Sequence, residues 1–291
     1  MLSLVLPKGS LEAATLSLFE SADLTVRRGS DRDYRAAIDD PRLDQVMFLR
    51  PQEIPQYIEQ GLFDLGITGR DWITETNSDV VSITELEYSK STSNPVKIVL
   101  AVPKEHPASS GAELPNGVRV STEFPELTRR FFAKAGVDAV IVPSYGATEA
   151  KVPDIVDAIV DLTETGTSLR KHGLKVIETL LVSRTELIAN AASYDDPTKR
   201  AAIDDIATLL LGAINARGKV LLKLNVPDDR LPEVLAVLPA MTSPTVTALA
   251  TGGFHAVETV AAKQGVNTLI PALRAAGARD ILEIPISKIV E

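Results

Sequence analysis

The sequence predicts an α/β protein that ends in a separate βαββαβ domain. Short apolar runs alternate with helical patterns from the N-terminus onward, a rhythm typical of a mostly parallel sheet with helices on both faces. The chain has 291 residues, about twice the length of a common domain, so more than one folding unit is expected. After residue 217 the order of predicted elements becomes strand, helix, strand, strand, helix, strand.

Strands in the first part of the chain follow from continuous apolar or β-branched runs, and helices from apolar residues spaced three or four apart. Ser10 is expected to cap the first helix, and Gly61 to end the second. The predicted strands cover residues 2–6, 45–49, 64–68 and 96–102, with the second helix over 51–60.

A second α/β block follows an exposed, turn-rich stretch at 104–117. A helix is predicted over 125–135 because Leu127 and Phe131 share one face and Gly136 follows. A long amphipathic helix is predicted over 198–217. The strands of this block are predicted at 118–121, 137–142 and 158–162.

The C-terminal strands and helices are predicted from the same apolar runs and spacings, but they follow one another in a different order. Strands are predicted at 219–226, 245–250, 254–262 and 280–286, and helices at 231–238 and 269–276. This order is the split βαβ, or ferredoxin-like, arrangement.

Composition excludes several classes of protein. The formal net charge is −9 and no basic stripe is visible, which argues against a nucleic-acid partner. No apolar run reaches the ~18 residues of a membrane span, and no signal peptide is expected. Cysteine is absent, which excludes disulfides and Cys-ligated zinc, and the three histidines have no metal-type spacing. We therefore expect a cytoplasmic protein.

The strongest local pattern is D-A-I-V-D-L-T-E-T-G-T-S-L-R at 157–170. Backbone amides and hydroxyl groups at a tight turn form a cradle for an anion, and acids on the preceding strand suit the hydroxyls of a ribose. The sequence therefore predicts a ribose phosphate as ligand, with a hydroxyl-rich helix cap as the alternative. The acids are Asp157 and Asp161, and the hydroxyl residues are Thr163, Thr165, Thr167 and Ser168.

Other polar residues follow other predicted strands, where open α/β sheets bind ligands. Lys8 and Arg50 are candidates for phosphate binding. A solvated lysine and an Arg50–Glu53 salt bridge are the alternatives. The glycines of 66–69 permit close approach of a base or phosphate, or form a plain turn. Asp71 begins a helix, where a helix cap is the alternative role.

The 157–170 stretch resembles the phosphoribosyl pyrophosphate (PRPP) loop of phosphoribosyltransferases. The commoner loop has two adjacent acids, whereas here they stand four positions apart, which resembles one relative, the ATP phosphoribosyltransferase family of histidine biosynthesis. The chain is similar to that family in order: P-K-G-S-L at 7–11, R-D-Y at 32–34, L-R-P-Q-E-I-P at 49–55, G-L-F-D-L-G-I-T-G-R-D-W at 61–72, G-A-T-E-A-K-V-P at 146–153 and L-I-A-N at 187–190. T-S-P-T-V at 242–246 resembles the regulatory domain of the long form, and Ser10 stands where many members carry Arg.

This resemblance implies a two-lobed core like that of periplasmic binding proteins, followed by a ferredoxin-like, ACT-like regulatory domain. Residues 1–95 and 184–215 would form the first lobe, 96–183 the second lobe with the PRPP loop, and 217–291 the regulatory domain. The implied reaction transfers phosphoribosyl from PRPP to the adenine ring of ATP and releases pyrophosphate. Mg²⁺ is the implied cofactor, L-histidine the implied inhibitor, and a hexamer exchanging with dimers the implied assembly.

The resemblance also implies a role for each candidate residue. Catalytic cations are Lys8, Arg32 and Arg50. PRPP contacts are Glu149, Lys151, Asp157, Asp161, Thr163, Glu164, Thr165, Gly166, Thr167 and Ser168. ATP contacts are Gly9, Ser10, Gly69 and Asp71. Histidine contacts are Asn225, Met241, Ser243 and Thr245. No metal ligand is assigned.

Two other functions are compatible with the same features. Two lobes and a small regulatory domain also describe a ligand-sensing protein, and the PRPP loop also occurs in enzymes that use a free base. Pyrophosphate release with PRPP and ATP, and its dependence on ATP rather than adenine, discriminates among them.

Overall fold

The computed structural model describes residues 1–88, 94–239, 243–250 and 252–290. They form two compact units, Met1–Ala207 and Thr208–Glu291, and the division falls inside one long helix. The N-terminal unit contains two β-sheets, which define the parts we call lobe I and lobe II, and the C-terminal unit contains a third sheet. The predicted fold class is confirmed. Within the described residues, no helix combines the length and apolarity needed to cross a bilayer.

Lobe I is built on a seven-stranded sheet. Its strands are β1 (Leu2–Pro7), β2 (Val26–Arg27), β3 (Arg35–Ile38), β4 (Leu43–Leu49), β5 (Leu65–Gly69), β6 (Val81–Leu86) and, after lobe II, β12 (Thr185–Ala189). Its helices are α1 (Glu12–Ser21), α2 (Ile54–Glu59), α3 (Arg70–Thr76), α6 (Ala191–Asp195) and the start of α7 (Pro197–Ala216). The strand order is β2-β3-β4-β1-β5-β12-β6. Val5, Ile58 and Ile188 are fully buried in one cluster of its core.

Lobe II is built on a five-stranded sheet in which β7 (Val96–Pro103) and β10 (Ala158–Thr163) are central neighbours. The other strands are β8 (Arg119–Thr122), β9 (Val140–Pro143) and β11 (Leu174–Ser183), and the helices are α4 (Pro125–Ala135) and α5 (Thr167–Lys171). The strand order is β11-β7-β10-β8-β9. Gly136 ends α4 with a φ of +73°, as the sequence predicts.

The prediction of mostly parallel sheets is wrong. Parallel pairing is confined to β4-β1-β5 and β10-β8-β9, and the remaining neighbours in both sheets are antiparallel. For β3 and β4 the reason is connection length, because residues 39–42 join them and are too few for the crossover that a parallel pair needs. The expected Ser10 cap is also wrong, because α1 begins after Leu11 without a side-chain capping bond.

The two lobes contact each other through α3 and α4. The buried carboxylate of Glu75 on α3 accepts hydrogen bonds from the amides of Glu126 and Leu127, at 2.9 and 2.8 Å, in the first turn of α4. Beside it, the ring centres of Trp72 and Phe124 are 4.7 Å apart. A carboxylate at a helix N-terminus satisfies free amides and opposes the positive end of the helix dipole, so this contact stabilises the arrangement of the lobes.

The C-terminal unit has the predicted βαββαβ order. Its elements are β13 (Lys219–Pro227), α8 (Leu231–Val237), β14 (Thr245–Ala248), β15 (Phe254–Ala262), α9 (Val266–Ala275) and β16 (Arg279–Pro285). The antiparallel sheet has the order β14-β15-β13-β16. Alternate residues of β13, Leu222, Leu224 and Val226, are fully buried with residues of both helices, so one sheet face forms the core.

Candidate active site

The polar turn after β10 has the compact form expected of an anion cradle. Gly166 has a φ of +70°, and its amide donates to Oγ1 of Thr163 at 2.8 Å. The hydroxyl oxygens of Thr165 and Thr167 are 2.9 Å apart, and Nη2 of Arg170 donates to the latter at 3.1 Å. A Cβ on Gly166 would lie 3.1 Å from Nη1 of Arg170, so both backbone angle and space favour glycine. Threonine hydroxyls thus gather beside a cation.

Asp161 lies on β10 just before this turn and is partly buried. Burial raises its pKa to about 6, and the negative charges of Glu149 and Glu123 add to the rise. The amide of Leu162, which donates to Oδ1 at 2.7 Å, and the charge of Lys151 oppose it. The protein therefore gives the charged form of Asp161 too few hydrogen-bond donors to offset its burial. This is typical of a carboxyl that receives further donors from the hydroxyls of a bound ligand.

Glu149 connects the short 3₁₀ helix Thr148–Lys151 to the turn, and Lys151 ends this helix. Oγ of Ser168 donates to the Glu149 carboxylate at 2.8 Å, and the pKa of Glu149 is lowered by its own amide and by this hydroxyl. Nζ of Lys151 donates to Oγ of Ser144 at 2.5 Å. The structure therefore brings Glu149 to the turn, and the charge of Lys151 acts on Asp161 at the end of the preceding strand.

Asp157 lies at the other end of β10. Its carboxylate accepts hydrogen bonds from Arg119, from the amide at 2.8 Å, Nε at 3.1 Å and Nη2 at 2.7 Å, and this side chain lowers the pKa of Asp157. Four residues at ~3.3 Å each place Asp161 about 13 Å further along the strand. Acids four apart on a strand share a face but not an end, so the structure does not bring Asp157 to the turn.

In lobe I, the ends of the parallel neighbours β1 and β4 bring three predicted residues together. Gly9 has a φ of +102°, and a Cβ on it would lie 3.2 Å from Nη1 of Arg50. Nζ of Lys8 donates to the carbonyl of Asp31 at 3.1 Å and lies 4.7 Å from the centre of the Tyr34 ring. The left-handed backbone at this position favours glycine after Lys8, and the Arg50 guanidinium lies close to it.

Arg32 and Arg50 are exposed. Among the described residues neither forms an ion pair, so the alternative Arg50–Glu53 salt bridge is absent there. Arg32 follows Asp31, whose carbonyl binds Lys8, which places the backbone of this turn beside the end of β1. Both arginines retain donors for a ligand.

Gly69 and Asp71 lie where β5 meets α3. Asp71 is 4% exposed, and its Oδ1 accepts from Oγ of Ser183 at 2.6 Å while its amide donates to the same hydroxyl at 3.0 Å. Burial raises the pKa of Asp71. A Cβ on Gly69 would lie 2.0 Å from Oδ1 of Asp71, so a side chain there would displace the carboxylate. Asp71 is thus held by both Gly69 and the last residue of β11.

A pocket of about 130 Å³ lies between the lobes. Four predicted residues line it, three assigned to ATP and one to PRPP: Ser10, Gly69, Asp71 and Glu164. Sequence reasoning missed other lining residues, including Leu11, Pro51, Trp72, Tyr88 and Ser183. Ser183 stands 112 positions from Asp71, so no local spacing signals their contact.

Three of the residues predicted to bind L-histidine, Asn225, Ser243 and Thr245, lie in the C-terminal unit. The fourth, Met241, is outside the described residues. Asn225 pairs with Ala256, which pairs with Thr247, and Thr245 is two positions from Thr247 on the same strand. Directly opposed residues share a sheet face, as do residues two apart, so Asn225 and Thr245 lie on one face, opposite the core. Ser243 is exposed just before β14. Nδ2 of Asn225 donates to Asp280 at 2.9 Å.

Fold and site together define a class of protein. A two-lobed α/β core with a pocket between the lobes, beside a hydroxyl-rich turn that follows an acid-bearing strand, is typical of proteins that bind a small polar ligand in an interlobe cleft.

Comparison with known proteins identifies the family. The family model described as ATP phosphoribosyltransferase matches residues 50–212, and the model described as HisG, C-terminal domain, matches 216–288. An ATP phosphoribosyltransferase of Pelotomaculum thermopropionicum is 48% identical over 99% of both chains, and one of Pelodictyon phaeoclathratiforme is 46% identical over 100% of this chain and 98% of its own. The chain belongs to the ATP phosphoribosyltransferase family, in the long form with a C-terminal domain, a family of pentosyltransferases in histidine biosynthesis.

A solved structure supports the same assignment. The ATP phosphoribosyl transferase (HisG:HisZ) complex from Thermotoga maritima contains a chain that is 28% identical, with a TM-score of 0.62, covering 72% of this chain and 96% of its own.

Proposed function

We propose that this enzyme transfers the phosphoribosyl group of PRPP to a ring nitrogen of the adenine of ATP, forming phosphoribosyl-ATP and pyrophosphate. The observation that carries this proposal is the interlobe pocket, because residues assigned to ATP and Glu164 of the PRPP turn line the same space. Substrates bound on either side of it meet there without a large rearrangement.

PRPP binds through the turn after β10. The hydroxyls of Thr163, Thr165, Thr167 and Ser168, with the amides around Gly166, hold the 5′-phosphate. Asp161 accepts hydrogen bonds from the ribose hydroxyls, which supply the donors that its raised pKa indicates are missing in the free protein. Glu149 braces the turn through Ser168, and Lys151 is held beside this site by Ser144. We leave Asp157 out of this site because Arg119 occupies its carboxylate.

The adenine of ATP lies in the pocket against Leu11 and Trp72, with Ser10, Gly69 and Asp71 at its edge. Gly9 belongs to this side through its contact with Arg50. A flat, largely apolar base suits such a lining, and the buried polar group fixes its orientation.

The reaction requires little covalent chemistry from the protein's own side chains. Departure of pyrophosphate leaves positive charge on the ribose, and the attacking nitrogen is neutral, so no strong general base is required. Lys8, Arg32 and Arg50 stabilise the negative charge that develops on the leaving group.

Mg²⁺ completes the leaving-group site. Among the residues that the structure describes, no three or more His, Asp or Glu side chains are grouped to hold a metal ion. We propose that the phosphates of the substrate would supply most ligands of Mg²⁺, as is usual for this ion. When bound it neutralises charge on pyrophosphate.

The C-terminal domain provides feedback inhibition by L-histidine. Asn225 and Thr245 share the open face of the sheet, and Ser243 precedes the same strand, so these groups suit a small zwitterion. We propose Met241 as a further contact, an assembly of hexamers exchanging with dimers, and a cytoplasmic location.

The catalytic proposal is tested with purified full-length protein. PRPP, Mg²⁺ and ATP should release pyrophosphate, and mass spectrometry should find phosphoribosyl-ATP. Adenine in place of ATP should give neither product. Turnover with adenine would indicate a free-base transferase, and no turnover with either would support a sensing role.

The regulatory proposal has its own test. Ser243→Ala with Thr245→Val should leave turnover nearly unchanged and raise the histidine concentration needed for inhibition. A coupling of about 1–3 kcal/mol between the histidine and substrate sites corresponds to a roughly 5- to 150-fold change in the affinity of one ligand when the other is bound. An unchanged inhibition curve would place the inhibitor elsewhere.

A further inference from the structure

A second pocket lies at one end of the C-terminal unit, and none of its lining residues is assigned to the proposed catalytic or histidine sites. Its volume is about 560 Å³, and it is formed where β13, β15 and β16 end or begin beside the end of α9. Three arginines line it, Arg230, Arg274 and Arg279, against one carboxylate, Asp229. Such an excess of positive charge is notable in a chain with a net charge of −9.

These guanidinium groups have few partners within the protein. Over the described ranges, their sole ion pair joins Arg230 to Asp229 at a long 3.8 Å. The neighbouring acid Asp228 lies 3.0 Å from Nδ1 of His255, so it is directed elsewhere. A guanidinium carries five N–H donors, so the pocket presents many donors and few acceptors.

Two of the arginines are held by contacts that leave their N–H donors available. Gly277 has a φ of +110°, and a Cβ there would lie 2.9 Å from Cγ of Arg230, so the stem of this arginine packs on the glycine backbone. The guanidinium of Arg279 lies 5.6 Å from the centre of the Phe254 ring. Packing of the stem or plane reduces the entropy lost when the donors bind a ligand.

We propose that this pocket binds a phosphate-bearing small molecule at a site separate from the proposed catalytic residues. A guanidinium group donates two parallel N–H bonds to two oxygens of a phosphate. A phosphate ligand with nearly two negative charges balances the charge of three arginines better than a ligand with a single carboxylate does. The volume lies within the range of small-molecule sites, so it holds more than an isolated phosphate. The Phe254 ring supplies an apolar wall for the organic part.

Inorganic tripolyphosphate is the probe, used with the full-length protein at physiological salt. Hydrogen exchange measured by mass spectrometry should show saturable protection of peptides that cover 227–230 and 274–279. Arg274→Gln with Arg279→Gln should raise the tripolyphosphate concentration that gives half-maximal protection by at least about tenfold, because two charge-assisted contacts are lost. Pyrophosphate release by the variant should stay at the wild-type rate, which verifies folding.

Arg129→Gln with Lys134→Gln is the matched control. Both residues are exposed on α4, so this variant loses the same charge and should keep the protection. Protection that is absent, or equally weakened in the control, overturns the proposal. Equal protection by citrate overturns the choice of phosphate. A changed assembly mass in the Arg274/Arg279 variant, with no change in tripolyphosphate protection, would identify the pocket as an interface between copies and also overturn it.

Discussion

Replacement of Asp161 by Asn tests two properties of this carboxyl. One is that its charged form lowers the stability of the folded protein, and the other is that it binds the ribose of PRPP. Its pKa is raised from 3.8 to about 6 by burial first and by Glu149 and Glu123 second. Because the folded pKa exceeds the unfolded one, the associated stability is fully present below pH ~3.8 and is lost as the pH rises through about 6. The full difference corresponds to ~3 kcal/mol, and solvent near the partly buried group reduces it, so about 1–3 kcal/mol is expected.

Asn has the shape of the protonated acid and does not ionise. Asp161→Asn should therefore raise the free energy of unfolding by about 1–3 kcal/mol at pH 8, and by less near pH 4.5. Urea unfolding followed by circular dichroism at both pH values measures this difference. A variant that is no more stable at pH 8, or whose advantage does not shrink at pH 4.5, would refute the reasoning.

The same variant should bind PRPP more weakly, because Asn replaces a charged acceptor for the ribose hydroxyls with a neutral amide. Asp157→Asn is the control with the opposite sign. Arg119 lowers the pKa of Asp157, so its contribution is present above pH ~3.8 and lost as the pH falls. Its replacement should cost no more than ~1 kcal/mol at pH 8 and leave PRPP affinity unchanged. Equal losses of PRPP affinity in both variants would contradict the choice of acid.

Three other predictions follow from the same structure. Thr167→Val should weaken PRPP by about 1–3 kcal/mol in calorimetry and leave ATP nearly unchanged, since one hydroxyl to a charged phosphate is lost; equal weakening of both would remove Thr167 from the cradle. Arg50→Lys should lower turnover more than PRPP affinity, because the planar fork acts on leaving-group charge. A fall in melting temperature without that kinetic pattern would make Arg50 structural. Glu75→Ala should lower the free energy of unfolding by about 1–3 kcal/mol, and Glu75→Gln by less, because one buried and one partly buried amide lose their acceptor. Chemical denaturation showing no difference from wild type would argue against the capping role.

Elements with strong local signals were predictable. The helix over 125–135 and the strand over 254–262 have the bounds that the sequence indicates, because a full apolar face and a terminal glycine or turn mark them. The strands β2, β3, β6, β11 and β12 were missed. The residues of the first four are mostly half-buried or exposed, so they lack the continuous apolar run on which the prediction depends. The strand β12 is fully buried, but its apolar run covers only 187–189 after Thr185 and Glu186, too short to be recognised. Antiparallel pairing escaped prediction for a related reason, since strand direction depends on connections rather than on composition.

The sequence by itself determined the chemistry of the turn at 163–168 and the order of elements around it, because both depend on residues close together in the chain. It also determined the glycines that such turns need, as at Gly166. Tertiary structure decided which side chains meet. It separated Asp157 from Asp161 by the length of a strand, placed Ser183 against Asp71 across 112 positions, and turned Glu75 of one lobe towards the amides of the other. These contacts follow from how sheets and helices pack, which local spacing does not encode.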